Sequence, residues 1–256
     1  MTAWLERWAA LVRRVTRVQG AGGQTQLVQW LARPCRPQVL AFVNAHAMNA
    51  SARDASFFDA LCEADTLLRD GIGMAWLMGL LNQPPGLNLN GTDFIPRLLR
   101  ACAGQPIALF GTQEPWLSRA RAAIERDLAP ASVCVTADGF LPTARYVDLA
   151  AAHRPRLIVL AMGMPRQEQV ARALRAALFE PCVIVCGGAI LDFLGGRAVR
   201  APAAVRGCGL EWAWRLACEP RRLFRRYVLG NPLFLARALR LALDGWRRLP
   251  SARPAA

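Results

Sequence analysis

The 256-residue chain contains no lysine, and all 32 of its basic residues are arginine. That excludes a P-loop lysine, a Schiff-base lysine and a lysine general base. Only two histidines occur, and the eight cysteines lie scattered at 35, 62, 102, 134, 182, 186, 208 and 218 with no Cys-x-x-Cys pair. Such spacing offers no zinc-ligand set, so no metal site is expected. The thiols read as free, in a reducing, cytosolic compartment. No Gly-x-Gly-x-x-Gly opens a βαβ unit, which argues against a nicotinamide or flavin, and no cofactor is expected. No uninterrupted apolar run reaches the roughly 18 residues of a membrane span. Glu6, Arg7 and the pair Arg13-Arg14 interrupt what a secretory leader would keep apolar, so none is expected.

What is present is a large apolar fraction, 54%, and an uneven charge. Residues 1–37 carry six Arg against one Glu, net +5; residues 38–196 carry thirteen Arg against fourteen acids, net −1; residues 197–256 carry thirteen Arg against three acids, net +10. A near-neutral middle flanked by basic ends points to an anionic partner: nucleic acid, a membrane surface or a phosphorylated substrate. The net −1 of the middle counts against nucleic acid. The same boundaries divide the chain into a basic N-terminal extension with linker (1–37), a core (38–196) and an Arg-rich helical appendage (197–256).

In residues 1–19, Trp4, Leu5, Trp8, Leu11, Val12 and Val15 recur at helical spacing with arginines between them. This basic amphipathic helix suits either a membrane interface or packing on its own core. Gly20–Gly23 is expected to end it. Short aliphatic runs then follow: Gln38–Val43, Ile107–Phe110, Val133–Val135, Leu157–Ala161 and Val183–Cys186. They alternate with helical patterns near 51–64, 73–81, 92–103, 115–128, 143–153 and 167–178. Buried strands alternating with helices predict an α/β fold, a Rossmann-like, doubly wound, mostly parallel sheet. In such sheets ligands sit beyond the carboxyl ends of the strands. The polar and glycine residues there are Asn44, His46 and Asn49; Gly111, Thr112 and Gln113; Asp138 and Gly139; Gly163, Pro165, Arg166, Gln167 and Glu168; and Gly187, Gly188 and Asp192. Glycine-rich strand ends that feed helix N-termini suit phosphate groups.

One stretch stands apart. In Arg69-Asp70-Gly71-Ile72-Gly73 an acid precedes two glycines. A carboxylate on such a turn can face a pocket, and Asp70 is the candidate base; an ordinary turn aspartate is the alternative. Beyond residue 197, Gly209–Arg215 begins a helix, Pro220 restarts one, and Pro232 starts another that runs to about Trp246. Arg221, Arg222, Arg225 and Arg226 are helical neighbours interleaved with Leu223, Phe224 and Tyr227, a pattern suited to an interface or to phosphate. Leu249 to Ala256 reads as a disordered tail.

Taken together, these stretches resemble the WecG/TagA/CpsF family of bacterial glycosyltransferases, in particular its exopolysaccharide members of the xanthan type. The matching residues are Phe42–His46, Ala64-Asp65 to Gly73, Asn88–Asp93 and Gly163–Glu168, then Asp192–Leu194 with Gly196 and Arg200–Pro202. Gly209–Trp212, Arg215-Leu216, Glu219–Arg222, Arg226-Tyr227 and Gly230–Pro232 complete them, over about residues 38–235.

The resemblance implies an inverting, metal-independent transferase. It would move a sugar from a UDP-sugar to a sugar on a polyprenyl diphosphate, at the inner face of the cytoplasmic membrane. Asp70 would be the base. Asn44, His46, Asn90, Gly91, Asp93, Gly111, Gln113, Gly163, Pro165, Gln167, Glu168, Gly188 and Asp192 would line the substrate site. Arg215, Arg221, Arg222 and Arg225 would grip a diphosphate or the membrane. Members of the family form oligomers, so a homo-oligomer is compatible. The chain lacks an Asp-x-Asp. Members commonly have Leu-Pro-Asp-Gly; here Leu68-Arg69-Asp70-Gly71 is expected to set a cation beside the base. Asn88 stands where members commonly have arginine. Read without the resemblance, Asp93 is a helix-starting acid, Asp192 a backbone-binding one and His46 a packed polar residue. The rivals to an enzyme are a non-catalytic membrane scaffold and a nucleic-acid-binding protein.

Overall fold

Val39, Ala41 and Val43 face one side of a strand, Leu40 and Phe42 face the other, and all six residues of Gln38–Val43 are buried. A strand buried on both faces needs helices above and below its sheet. The computed structural model, which describes residues 3–244, has this architecture. The chain runs α1 (Ala3–Arg14), α2 (Gly20–Leu31), β1 (Gln38–Val43), α3 (Ala45–Ser51), α4 (Ala55–Glu63), β2 (Thr66–Arg69), α5 (Ile72–Leu80) and α6 (Gly91–Ala101). It continues with β3 (Ile107–Gly111), α7 (Trp116–Ala123) and a π-helical turn Ile124–Leu128, then β4 (Cys134–Ala137), α8 (Thr143–His153), β5 (Leu157–Ala161), α9 (Arg166–Ala177) and β6 (Val183–Cys186). The last elements are α10 (Ile190–Leu194), α11 (Ala203–Gly207), α12 (Glu211–Cys218), α13 (Pro220–Phe224), a π-helical turn Arg225–Leu229 and α14 (Gly230–Asp244).

The sheet is Rossmann-like and every pairing in it is parallel, in the order β2-β1-β6-β5-β3-β4. The chain adds β2 outside β1, crosses to β3 and β4 at the far edge, and fills the middle with β5 and β6. The winding reverses between neighbouring β3, which leads out to β4, and β5, which leads in to β6, and a crevice opens beyond the carboxyl ends of the strands.

Three sequence expectations change. The strand β2 lies directly before Asp70, where its two central leucines are too short an apolar run to signal a strand. The helix expected over 51–64 is α4, and a separate, unexpected α3 precedes it, because Asn44 and Asp54 each cap a start: their side chains accept from Ala47 N at 3.0 Å and Phe57 N at 3.0 Å. Gly20–Gly23 does not end a helix but opens α2, whose Val28 and Leu31 are buried on the sheet. That tertiary burial outweighs the poor helix propensity of glycine. Helix α1 ends earlier, at Arg14.

The amphipathic N-terminal helix buries its apolar face in the protein's own core. Leu5, Trp8, Leu11 and Val12 are buried there, and Trp8 Nε1 donates to Met48 O at 2.7 Å. After α1, Val15 bridges to Leu67 and Thr16 N donates to Leu67 O at 2.8 Å, so the chain covers the outer edge of β2. The C-terminal end joins the same core. Phe234, Ala238 and Leu241 of α14 are buried, and the Phe234 ring lies 5.4 Å from that of Trp8. Burying a side chain of this size contributes about 1.5–3 kcal/mol. Asn49 Nδ2 donates to Gly230 O at 2.7 Å, and Arg237 Nη1 donates to Asn49 Oδ1 at 3.0 Å. The expected helix end near Trp246 and the tail 249–256 lie outside the described residues.

Candidate active site

Asp70 sits at the carboxyl end of β2, where the chain must turn sharply into α5. Gly71 supplies the turn at φ +85°, a region L side chains rarely enter, and its N–H donates to Asn88 Oδ1 at 2.9 Å. Asp70 N donates to Val43 O at 2.9 Å, which pins the acid to the end of β1. Asn44 Nδ2 donates to Asp70 Oδ2 at 3.1 Å. The Asn44 oxygen caps α3, so its amide nitrogen is the end left for the acid. Asn88 thus holds the Asp70-Gly71 turn itself.

Arg69 does not stand beside Asp70 as a free cation. It is 6% exposed, and it donates from Nε to Pro85 O (3.0 Å), from Nη1 to Gly71 O (3.1 Å) and from Nη2 to Gly86 O (2.9 Å). Strand alternation turns its side chain away from that of Asp70 and into the 85–86 loop.

A cluster of charge shares the surroundings of Asp70. Asn90 caps α6, whose first residue is Gly91: its oxygen accepts from Asp93 N at 2.9 Å and its Nδ2 donates to Asp93 Oδ2 at 2.9 Å. Asp93 pairs with Arg200 at 2.6 Å and with Arg206 at 3.7 Å. Burial pushes the Asp93 carboxyl up, but the bonds from Arg200 and Asn90 and the two arginine charges outweigh it, so it lies below its ordinary value. Glu211, at the start of α12, is raised, foremost by burial; Asp70 and Asp93 add to this against Arg200 and Arg215. Burial and then Arg226 push His46 down to about 4, which leaves it neutral at pH 7. Burial lowers Arg226 itself; Arg215 and Arg222 do so too, while Tyr227 and Asp70 pull the other way. The Nε atoms of Arg200, Arg215 and Arg226 are buried with no acceptor among the described residues. Arg215 also stacks on Phe193, its Cζ 5.4 Å from the ring centre.

The middle of the crevice is built from the ends of β3, β5 and β6. Thr112 Oγ1 donates to Asp192 Oδ1 at 2.5 Å, and Arg197 reaches the same oxygen at 3.5 Å. Gly111 lets two strands close: a Cβ there would lie 2.3 Å from Ala161 O. Gln113 is exposed, and its carbonyl accepts from Leu117 N as α7 opens. Gly163 and Pro165 form the turn from β5 into α9. Gln167 Oε1 accepts from Gly188 N at 2.9 Å and its Nε2 donates to Glu168 Oε1 at 2.8 Å. Gln167 and Glu168 are each 2% exposed, so Glu168 offers no surface to the crevice. Arg222 pairs with Glu219 at 2.5 Å, and with Arg221, Arg225, Pro220 and Phe224 it lines an open depression on the outside of the appendage.

The structure therefore gathers Asn44, His46, Asp70, Asn90, Asp93 and Arg215 around one mouth and sets Arg221 and Arg225 outside it, while Arg222 lines the outer depression and also acts on Arg226 and Asp192. Sequence reasoning did not single out Arg200, Arg226 or Glu211 as site residues. Each lies inside a matched motif, Arg200-Ala201-Pro202, Arg226-Tyr227 or Gly209–Trp212, and that was the available signal. Among the described residues no three His, Cys, Asp or Glu side chains are grouped to hold a metal ion. Unpaired guanidinium N–H groups around a carboxylate can instead bind a diphosphate while a hydroxyl is deprotonated.

The profile of the glycosyl transferase WecG/TagA/CpsF family matches residues 10–248. Curated relatives agree with it. The N-acetylglucosaminyldiphosphoundecaprenol N-acetyl-beta-D-mannosaminyltransferase of Bacillus spizizenii is 28% identical over 183 residues, covering 70% of each chain. The protein of the same name from Bacillus subtilis is 27% identical over 205 residues, covering 79% of each.

Proposed function

We propose, for a chain that belongs to the WecG/TagA/CpsF glycosyltransferase family, that it moves a sugar from a UDP-sugar to a sugar carried on a polyprenyl diphosphate, in the assembly of an exopolysaccharide or other cell-surface polysaccharide. The activity for which the two Bacillus relatives are named supports the acceptor class. The observation that carries the reading is the Asp70 carboxylate at a strand end, oriented by Asn44 and opposed by Arg215 and Arg226, whose Nε atoms are buried and unpaired.

Asp70 takes the proton of the acceptor hydroxyl as its oxygen attacks the anomeric carbon. The bond from that carbon to the UDP oxygen breaks on the opposite face, and the sugar inverts. Base catalysis of this kind contributes about 10²–10⁴-fold. Arg215 and Arg226, with Arg200 beside Asp93, take up charge as UDP departs, the work a divalent cation does elsewhere. His46, neutral, adds no charge of its own at the base.

No helix among the described residues is long and apolar enough to cross a membrane. The appendage instead presents exposed Phe224, Leu229, Leu235, Leu239 and Leu243 beside Arg221, Arg222 and Arg225, a surface for docking on the inner face of the cytoplasmic membrane. Copies of the chain associate there as a homo-oligomer in this reading.

The test is UDP release from a panel of UDP-sugars (glucose, N-acetylmannosamine, N-acetylmannosaminuronate and glucuronate), with and without short-chain polyprenyl-diphosphate sugars. Acceptor-dependent release with one donor is expected; release that ignores every acceptor, or none across the panel in folded protein, contradicts the reading.

A further inference from the structure

Glu168 is a buried carboxyl whose second oxygen, Oε2, has no hydrogen-bond partner among the described residues. It shares a face of α9 with Arg172 and Arg175 and packs toward Val39 and Ala41 of β1 and Cys186 of β6. The gap there, about 10 Å³, has no room for a sugar or a base. The charged groups nearby are already engaged: Arg172 pairs with Glu63 at 2.8 Å and Arg175 with Asp65 at 3.1 Å. Cys186 is itself pushed up by burial and offers no positive charge. An unpaired buried oxygen opposes folding, and a leucine would fill such a place without it.

What the carboxylate does is orient its neighbour. A carboxylate only accepts, so the Gln167 NH₂ group must point at Glu168, at 2.8 Å. The Gln167 oxygen is thereby aimed at Gly188 N, at 2.9 Å. The reversed amide would set two donors against each other. Gly188 has φ +62° and lies in the turn that follows β6, next to the end of β1 that carries Asn44.

We propose that Glu168 is a positioning residue, which holds the Gln167 amide in one orientation and so fixes the Gly187-Gly188 turn as a wall of the sugar-nucleotide site. Its catalytic consequence rests on the function proposed above. The carboxyl is held near pH 7 by burial, and on gaining a proton it can donate as well as accept, which slackens the constraint.

The experiment uses the full chain and reads amide hydrogen exchange at Gly188, the KM for the UDP-sugar and the melting temperature. Glu168→Leu is expected to speed Gly188 exchange by about tenfold or more. It is expected to raise the donor KM by about fivefold or more, with melting unchanged or higher. Glu168→Gln, whose oxygen still accepts from Gln167, is expected to keep KM within about twofold of wild type. The wild type alone supplies a second reading that needs no variant to fold. Gly188 protection, corrected for intrinsic exchange, should weaken as pH falls through about 7 and stay flat in Glu168→Gln. Unchanged Gly188 exchange in Glu168→Leu, or flat protection in the wild type, overturns the proposal. A wild type that releases no UDP overturns the functional reading, while the exchange data still decide this one.

Discussion

Arg69 and Arg226 are both arginines drawn in from solvent, both acted on by the charge of Asp70, and the protein treats them in opposite ways. Arg69 gives its N–H groups to three backbone carbonyls, those of Gly71, Pro85 and Gly86. Its N–H groups are satisfied within the fold, and its work is to hold the loop that carries Asn88 against the Asp70-Gly71 turn. Arg226 keeps Nε buried without an acceptor among the described residues and shares its surroundings with Arg215 and Arg222, like charges that oppose one another. Self-repelling, unpaired cations are costly to bring together in the absence of an anion. The contrast separates an arginine that builds the turn from one that, in the proposed function, is held for a ligand.

The contrast can be broken by substitution. Asp70→Asn keeps the shape and the Asn44 contact and removes the base. Acceptor-dependent UDP release is expected to fall by about 10²–10⁴-fold with melting unchanged. Arg226→Gln is expected to lower the same rate by about 10–100-fold, with the fold intact. Arg69→Met should do the reverse. Three carbonyls lose their donor, and stability drops by about 3 kcal/mol in thermal unfolding, with lost activity following lost fold. If Arg69→Met melts like the wild type, or Arg226→Gln unfolds, the two roles have been assigned the wrong way round.

Two smaller effects sharpen the comparison. Glu168 is held at about 7 against an ordinary 4.5, so between those values the folded chain keeps a proton that the unfolded chain releases. Its contribution to stability therefore falls as pH rises through that window, by up to about 3 kcal/mol in all. Glu168→Leu should lack that decline and exceed the wild type in stability at pH 8 in denaturant unfolding. His46 has the opposite sign: held at about 4 against 6.5, it weakens the fold as pH falls from 6.5 toward 4. The smallest expected effect is that of EDTA, none, on the rate of UDP release; a strict requirement for added metal would assign the arginines a lesser part.

Sheet architecture was legible because β1, β3, β5 and β6 are aliphatic runs buried on both faces, a pattern that few other structures allow. The strand β2 was not, since Thr66–Arg69 carries only two central leucines and takes its order from pairing with β1. Asp70 was legible from its glycines, and Asn44 from its place after β1. The orientation of Arg69 was not, because a cation adjacent in sequence to an acid projects to the other face of a strand. The inner arginines were hidden for a related reason. Arg221, Arg222 and Arg225 stand out as a run, yet line an outer depression, whereas Arg200 and Arg226 reach the mouth through the docking of the appendage on α3 and α5. That docking depends on Asn49 and Phe234, which no local pattern connects.

The most direct test measures acceptor-dependent UDP release in EDTA for the wild type and for the paired variant Arg215→Gln with Arg226→Gln. The account predicts turnover by the wild type without added metal. It predicts a loss of about 10²-fold or more in the paired variant at unchanged melting temperature. A paired variant that turns over like the wild type would contradict it.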